Sequence, residues 1–377
     1  MQRALRYFLL LCLFFEASLF LSACAPTKEE PASAYTGKFA PLSPENVADI
    51  REQDLLQIPD AGSVGGLGYR RSDGLLLAAY LGDGFLRGWD LSKKTVEFEH
   101  DLRLVSSTGL GFDVAGNYII GPKYSQMRDD DYHYLQEYIG GVGLWQTTSG
   151  DLIKCLDSLC NEPPGNQKLQ EIGAAIDPMG RKVIIYNDGA FTLDDLSTGQ
   201  SSINLVNSPD DLLGLDTWEP LGKMIFNRNG ERLYIARLRG TVNVLGGFPN
   251  LKEITPKIGE DYIPVEAITI DSRNKKLARL QGEKLSIWQL GLFNNRLIYE
   301  SDVPNGKLLS FDQFGNFLVI GAAEKIQIFD ITNQKLIKEI PANDLSSILV
   351  SPDNRLLFWG DNEGVIHIWG IPVEATQ

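Results

Sequence analysis

The sequence predicts an all-β protein, a seven-bladed β-propeller whose last blade is closed by a strand from the N-terminal side. Three observations carry this. A turn built from Asp, Asn, Ser and Gly, followed by an apolar run, a second turn and an alternating segment with a terminal anchor, recurs seven times. The chain holds 37 glycines and 18 prolines at an ordinary 43% apolar content, the make-up of a protein with many turns. Only eight residues follow Trp369, with Pro372 among them, whereas the run Leu55-Leu56-Gln57-Ile58 stands before the first repeat without a partner.

The first element is a sorting signal, residues 1–23. Arg3 and Arg6 precede apolar runs from Tyr7 to Phe15 and from Ala17 to Ala23. A basic start, a short apolar stretch and small residues before a cut site describe a secretory signal peptide. Leu21-Ser22-Ala23-Cys24 then resembles the bacterial lipobox, which implies acylation of Cys24. The alternatives are a cysteine placed there by chance or an uncleaved membrane anchor, which needs roughly 20 uninterrupted apolar residues. Glu16 inside the apolar stretch departs from the signal pattern. Ala25 stands where an aspartate would imply inner-membrane retention, so the resemblance implies an outer-membrane lipoprotein facing the periplasm.

Residues 24–50 follow as a lipidated N-terminus and flexible tether. Pro26, Pro31, Pro41 and Pro44 lie there among small and charged residues. As a loose coil, about 25 residues would span roughly 25–30 Å.

The propeller is expected over residues 51–377. The repeat turns begin at Ser72, Asp113, Asp177, Asn227, Asp271, Asp312 and Ser351, and lead to anchors at residues 89, 145, 194, 245, 288, 329 and 369. Successive anchors are 56, 49, 51, 43, 41 and 40 residues apart, tightening toward the roughly 40–45 of a four-stranded blade. Runs such as Val365-Ile366-His367-Ile368-Trp369 fit strands sandwiched between neighbouring blades.

Trp89-Asp90, Trp145, Leu193-Asp194-Asp195, Trp288, Phe329-Asp330 and Trp369 resemble the closing motif of the WD40 family, over about residues 52–371. Trp89, Asp90, Trp145, Asp195, Trp288, Phe329, Asp330 and Trp369 are thereby the expected blade anchors. The Gly-His dipeptide that opens a family blade is missing, and only His100 falls near its place. The family's buried His–Ser/Thr–Asp–Trp network therefore cannot recur in each blade, which leaves stability to apolar packing.

Few residues carry chemistry. Past the signal and Cys24, the remaining cysteines are Cys155 and Cys160, close enough for a local disulfide in an oxidising compartment. A redox pair or half a metal site are the alternatives, but the spacing is not Cys-x2-Cys and no second Cys/His pair completes a zinc site. His367 alternates with Ile366 and Ile368, as a packed or edge residue does. An insertion in the second repeat, Tyr124 to Tyr138, gathers Asp129, Asp130, Asp131, Tyr132, His133, Tyr134 and Tyr138. It is the candidate partner-contact loop, because aromatic side chains often dominate interface energy; a solvated loop packed back on the blade is the alternative. The three aspartates lack the alternating ligands and glycine of a calcium loop.

The formal charge is −14, and removing residues 1–23 takes away two arginines and one glutamate to leave −15. Such a surface repels phosphate backbones, so nucleic acid is not an expected partner. No nucleophile elbow, phosphate loop or His-Glu-x-x-His run occurs. The expectation is a non-enzymatic scaffold for unidentified envelope proteins, membrane-bound through its lipid and without cofactor or metal. The alternative is a lactonase-like hydrolase or small-molecule binder with its site in the central channel.

Overall fold

A computed structural model describes residues 35–105, 110–128, 134–156, 173–187, 190–205, 221–237, 240–248, 252–254, 258, 263–291 and 294–373. These form seven four-stranded antiparallel sheets, the blades of a closed propeller. Blade one holds β2 (Val64–Arg70), β3 (Leu75–Tyr80), β4 (Phe85–Asp90) and β5 (Thr95–Asp101). Blade two holds β6 (Gly111–Phe112), β7 (Tyr118–Arg128), β8 (Tyr134–Gln146) and β9 (Leu152–Cys155). Blade three holds β10 (Gly173–Ile176), β11 (Lys182–Asn187), β12 (Ala190–Asp195) and β13 (Gln200–Leu205). Blade four holds β14 (Leu221–Phe226), β15 (Arg232–Arg237), β16 (Val242–Gly246) and β17 (Lys252–Glu253). Blade five holds β18 (Val265–Ile270), β19 (Lys276–Gln281), β20 (Lys284–Gln289) and β21 (Arg296–Asp302). Blade six holds β22 (Gly306–Phe311), β23 (Phe317–Ala322), β24 (Lys325–Asp330) and β25 (Lys335–Pro341).

Blade seven joins the two ends of the domain. Its inner three strands, β26 (Leu345–Val350), β27 (Leu356–Asp361) and β28 (Val365–Gly370), come from the C-terminal side, and β1 (Arg51–Gln57) is the outer one. β1 runs antiparallel to β28, from Arg51 opposite Gly370 to Gln57 opposite Val365. The expected closure is therefore observed: β1 covers the edge of β28, and blade seven packs against blade one.

Blades bury what lies between them. Seven apolar clusters fill seven seams, each drawing on two neighbouring blades. Strands in mid-blade are covered on both faces, so every residue of β3 and β23 is buried. Outer strands alternate: β5 reads exposed and half-buried by turns. This is why mid-blade strands such as β3 and β23 are near-continuous apolar runs.

The anchors take one register throughout. Trp89, Trp145, Asp194, Leu245, Trp288, Phe329 and Trp369 lie opposite Leu76, Ile119, Val183, Leu233, Leu277, Leu318 and Leu357 of the second strands. Each packs into the seam shared with the preceding blade, as Trp89 does with blade seven and Phe329 with blade five. Where the anchor is aromatic, the outer strand shifts register beside it, at Trp89, Trp145, Trp288, Phe329 and opposite Trp369. β12, which carries Asp194, pairs with β13 without a shift. A bulge inserts an extra residue into one strand of a pair, and it recurs here beside the large rings.

Three of the expected anchors have a different role. Asp195 and Asp330 do not act as packing anchors, and neither does Asp90. Each carboxylate accepts backbone N–H groups of the following turn: Asp90 from Ser92 (2.8 Å) and Lys93 (3.1 Å), Asp195 from Ser197 (2.9 Å) and Thr198 (3.1 Å), Asp330 from Asn333 (2.9 Å). The tryptophans are tied by packing more than by polar bonds. Trp288 donates to Ser286 Oγ at 3.2 Å, whereas Trp359 and Trp369 Nε1 are buried with no hydrogen-bond partner among the described residues.

The tether expected over residues 24–50 is corrected for residues 35–50. Tyr35 and Phe39 are buried in the seam between blades seven and one, and Leu42, Val47 and Ile50 in the seam between six and seven. Phe39 bridges Pro372, Ala40 N–H donates to Ile371 O (2.8 Å), and Leu42 N–H to Asn354 O (2.6 Å). Lys338 Nζ donates to Ala48 O (2.8 Å) and Ile50 O (2.6 Å), and Arg355 to Phe39 O. The segment is a clasp across blade seven, continuous with β1. Residues 1–34, with Cys24, lie outside the described residues.

Candidate functional site

Two places on the ring depart from a plain propeller, one at each end. The first is the ribbon of blade two. Its second and third strands are 11 and 13 residues long, whereas the equivalent pair in blade one has six residues per strand. Pairing continues past Pro122 opposite Val142 to Tyr124 opposite Ile139, Ser125 opposite Tyr138 and Arg128 opposite Tyr134. At about 3.3 Å per residue the five extra positions carry the ribbon about 17 Å further.

The expected contact loop is thus mostly strand. Tyr134 and Tyr138 occupy ladder positions of β8, and Asp129, Asp130, Asp131, Tyr132 and His133 lie outside the described residues. Cys155, the last residue of β9, is disulfide-bonded, and Cys160 lies outside the described residues.

The other end is the mouth of the central channel. The second strand of every blade reverses the first, so the turn joining them faces away from the ribbon's tip. In six blades that turn is pinned by a buried side chain accepting backbone N–H groups four or five residues on. Asp113 accepts from Tyr118 (2.7 Å), Asp177 from Lys182 (2.8 Å), Asn227 from Arg232 (2.9 Å), Asp271 from Lys276 (2.8 Å), Asp312 from Phe317 (2.8 Å) and Ser351 from Leu356 (2.9 Å). Blade one uses an ion pair instead, Arg70 to Asp73 at 2.7 Å. Burial pushes the Asp113 and Asp312 carboxyls up from the ordinary range, against the N–H bonds that favour the charged form.

A cavity of about 470 Å³ opens among these turns, walled by the inner strands of all seven blades. Lys223 of β14 lines it, in a stretch where the register with β15 shifts between Leu221 and Met224. Comparable shifts occur in β2, β18, β22 and β26, the last three around Glu266, Lys307 and Ser346. Bulges re-aim side chains, so they break the alternation by which a sequence could assign residues to the channel. Burial alone lowers the pKa of Lys223, although its side chain is open to the lumen: it is ringed by protein without being covered. Burial raises the Glu266 carboxyl, and Lys307 opposes this. Nothing in the sequence reasoning singled out Lys223 or Arg228.

His367 is a packed residue. Its ring stacks on Trp359 at 3.4 Å and Nδ1 lies 2.7 Å from Glu52 Oε1, tying β28 to β1. Among the described residues no group of three His, Cys, Asp or Glu side chains is placed to hold a metal ion.

No protein-family model and no curated protein matches the chain. Among solved structures it is similar to the β-propeller domain of Cps50 (Swd1) from Myceliophteria thermophila, at a TM-score of 0.63 and 15% identity. The match covers 85% of this chain and 99% of that one. The likeness is one of fold. It shows a β-propeller, and at that identity nothing about a partner.

Proposed function

We propose that the chain is a non-enzymatic interaction platform of the bacterial cell envelope, anchored through a lipid on Cys24 and facing the periplasm from the outer membrane. The observation that carries the platform reading is the blade-two ribbon, a long two-stranded projection on an otherwise rigid closed ring. A ring of blades packed on both faces holds such a projection in place, and ribbons with aromatic residues suit protein contacts. The anchoring reading is supported by Leu21-Ser22-Ala23-Cys24 and the basic, apolar run before it.

The test is crosslinking in intact cells, followed by purification of the tagged chain from solubilised envelope. One reproducible set of envelope proteins is expected, lost when Tyr132 and Tyr134 are changed to alanine while the propeller stays folded. Recovery of the chain alone overturns the platform. Cys24→Ser is expected to move the chain from the membrane to the soluble fraction, and retention in the membrane overturns the lipid anchor.

A further inference from the structure

The cavity at the turn end of the channel lies away from the ribbon, and its chemistry differs from the rest of the molecule. Its walls are mostly apolar, with Leu67, Leu110, Phe112, Phe226 and Phe311 among them. At about 470 Å³ it falls within the roughly 300–1,000 Å³ of small-molecule sites. It has room for an organic molecule of one ring or a short chain, not for a folded element of a protein.

The charges in this wall are sorted. The chain as a whole carries −14, yet the carboxylates lining the cavity, Asp113, Asp271 and Asp312, are buried and committed to the N–H groups of their own turns. Of the three lining cations Arg71 is engaged, and the other two are not so committed. Lys223 and Arg228 are both exposed to the lumen or its mouth. No described residue gives the Lys223 ammonium a hydrogen bond or an ion pair. Glu266 and Lys307, on the inner strands of blades five and six, interact with each other and do not line this cavity. A cation held against an apolar wall without a counter-charge is half of an ion pair, and burial already disfavours its charged form. An incoming anion supplies the missing half.

We propose that the turn end of the central channel binds a small organic anion, a carboxylate or phosphate monoester with an apolar body, with Lys223 as its counter-charge and Arg228 at the mouth. The apolar body lies along the inner strands, and the anionic group makes charge-assisted hydrogen bonds to the ammonium. The platform reading does not require this site, nor the site the platform.

The experiment is a calorimetric titration of the full purified chain, in matched detergent, with benzoate and with phenyl phosphate, and with benzyl alcohol as the uncharged control. Saturable binding of one equivalent is expected for at least one anion, and which one distinguishes carboxylate from phosphate. Lys223→Met is expected to weaken it at least about tenfold, Arg228→Gln about two- to fivefold, and Lys223→Arg to retain it within about threefold. Lys223→Gln stands in if the methionine variant does not fold. The proposal is overturned if neither anion saturates below about 10 mM, if benzyl alcohol binds as tightly, or if neutralising Lys223 leaves the affinity unchanged.

Discussion

The seam between blades six and seven and the seam between blades two and three solve the same packing problem with different residues. In the first, Trp369 of β28 meets Phe317, Val319, Ile326 and Ile328, and the clasp adds Leu42, Val47 and Ile50 from outside. In the second, the anchor position holds Asp194, which is 3% exposed and reaches Lys154 of β9 at 2.9 Å. That contact is an ion pair without an aligned hydrogen bond to Asp194 Oδ1. An aromatic anchor is accompanied by a bulge in the outer strand; a carboxylate leaves the ladder regular but needs a cation from the neighbouring blade. The difference teaches that the anchor position is a point of contact with the preceding blade, whatever its side chain.

The largest effect is expected in the apolar seam. Phe317, 1% exposed, is to cost about 3–5 kcal/mol of unfolding free energy on replacement by alanine, read by urea denaturation. A loss below about 1 kcal/mol would mean that this seam relaxes freely, and the contrast would fail.

The polar seam is sharpened next. Lys154→Ala leaves the Asp194 charge buried and uncompensated, at an expected cost of about 1.5–3 kcal/mol, and adding Asp194→Leu is to recover most of it. If the single change costs no more than an exposed surface pair, and the double change recovers nothing, the ion pair does not hold the seam. Asp194→Trp imports the aromatic solution into a blade whose outer strand has no bulge, so a loss of about 1–3 kcal/mol from overpacking is expected.

Lys338→Met removes the two hydrogen bonds from blade six to the clasp, for about 1 kcal/mol. Its sharper readout is faster proteolysis within residues 35–50 while residues 51–373 stay protected.

The smallest effect distinguishes the turns. The Asp113 and Asp312 carboxyls are raised in the folded state, so their contribution to stability is fully present below the ordinary carboxylate pKa. It is lost as the pH rises through their folded values. Blade four makes the same turn with the neutral Asn227. Asp113→Asn/Asp312→Asn is therefore expected to lose less stability than the parent between pH 4 and pH 7, measured by thermal unfolding. Identical slopes would show that the buried carboxyls do not titrate in that window.

Much of this architecture was legible because repetition is a sequence property. Seven turns and seven anchors in order specify seven blades, and the run from Leu55 to Ile58 had no other place to pair. The clasp was not legible. Tyr35, Phe39, Leu42, Val47 and Ile50 are spaced four, three, five and three residues apart among prolines and polar groups, without strand or helix periodicity, because each fills a gap in another element's packing. The ribbon was placed in the right blade but taken for a loop, since a segment carrying three successive aspartates reads as a turn even when strands flank it. Lys223 could not be found at all. A bulge shifts the phase of β14 just there, and the residue types of that strand do not say which side faces the lumen.

The swap of β1 into the last blade also sets an order of events. Gln53 Nε2 donates to Gly370 O across 317 residues of sequence, so this contact cannot form until nearly the whole chain has been made. Loop-closure entropy makes such distant pairings slow. Until then blade seven is a three-stranded sheet with the edge of β28 bare, and β1 is a free strand cut to fit it. Two unfinished copies can each lend the other that strand. Productive maturation is thus a race between closing one ring and linking two, and crowding of newborn chains favours the second.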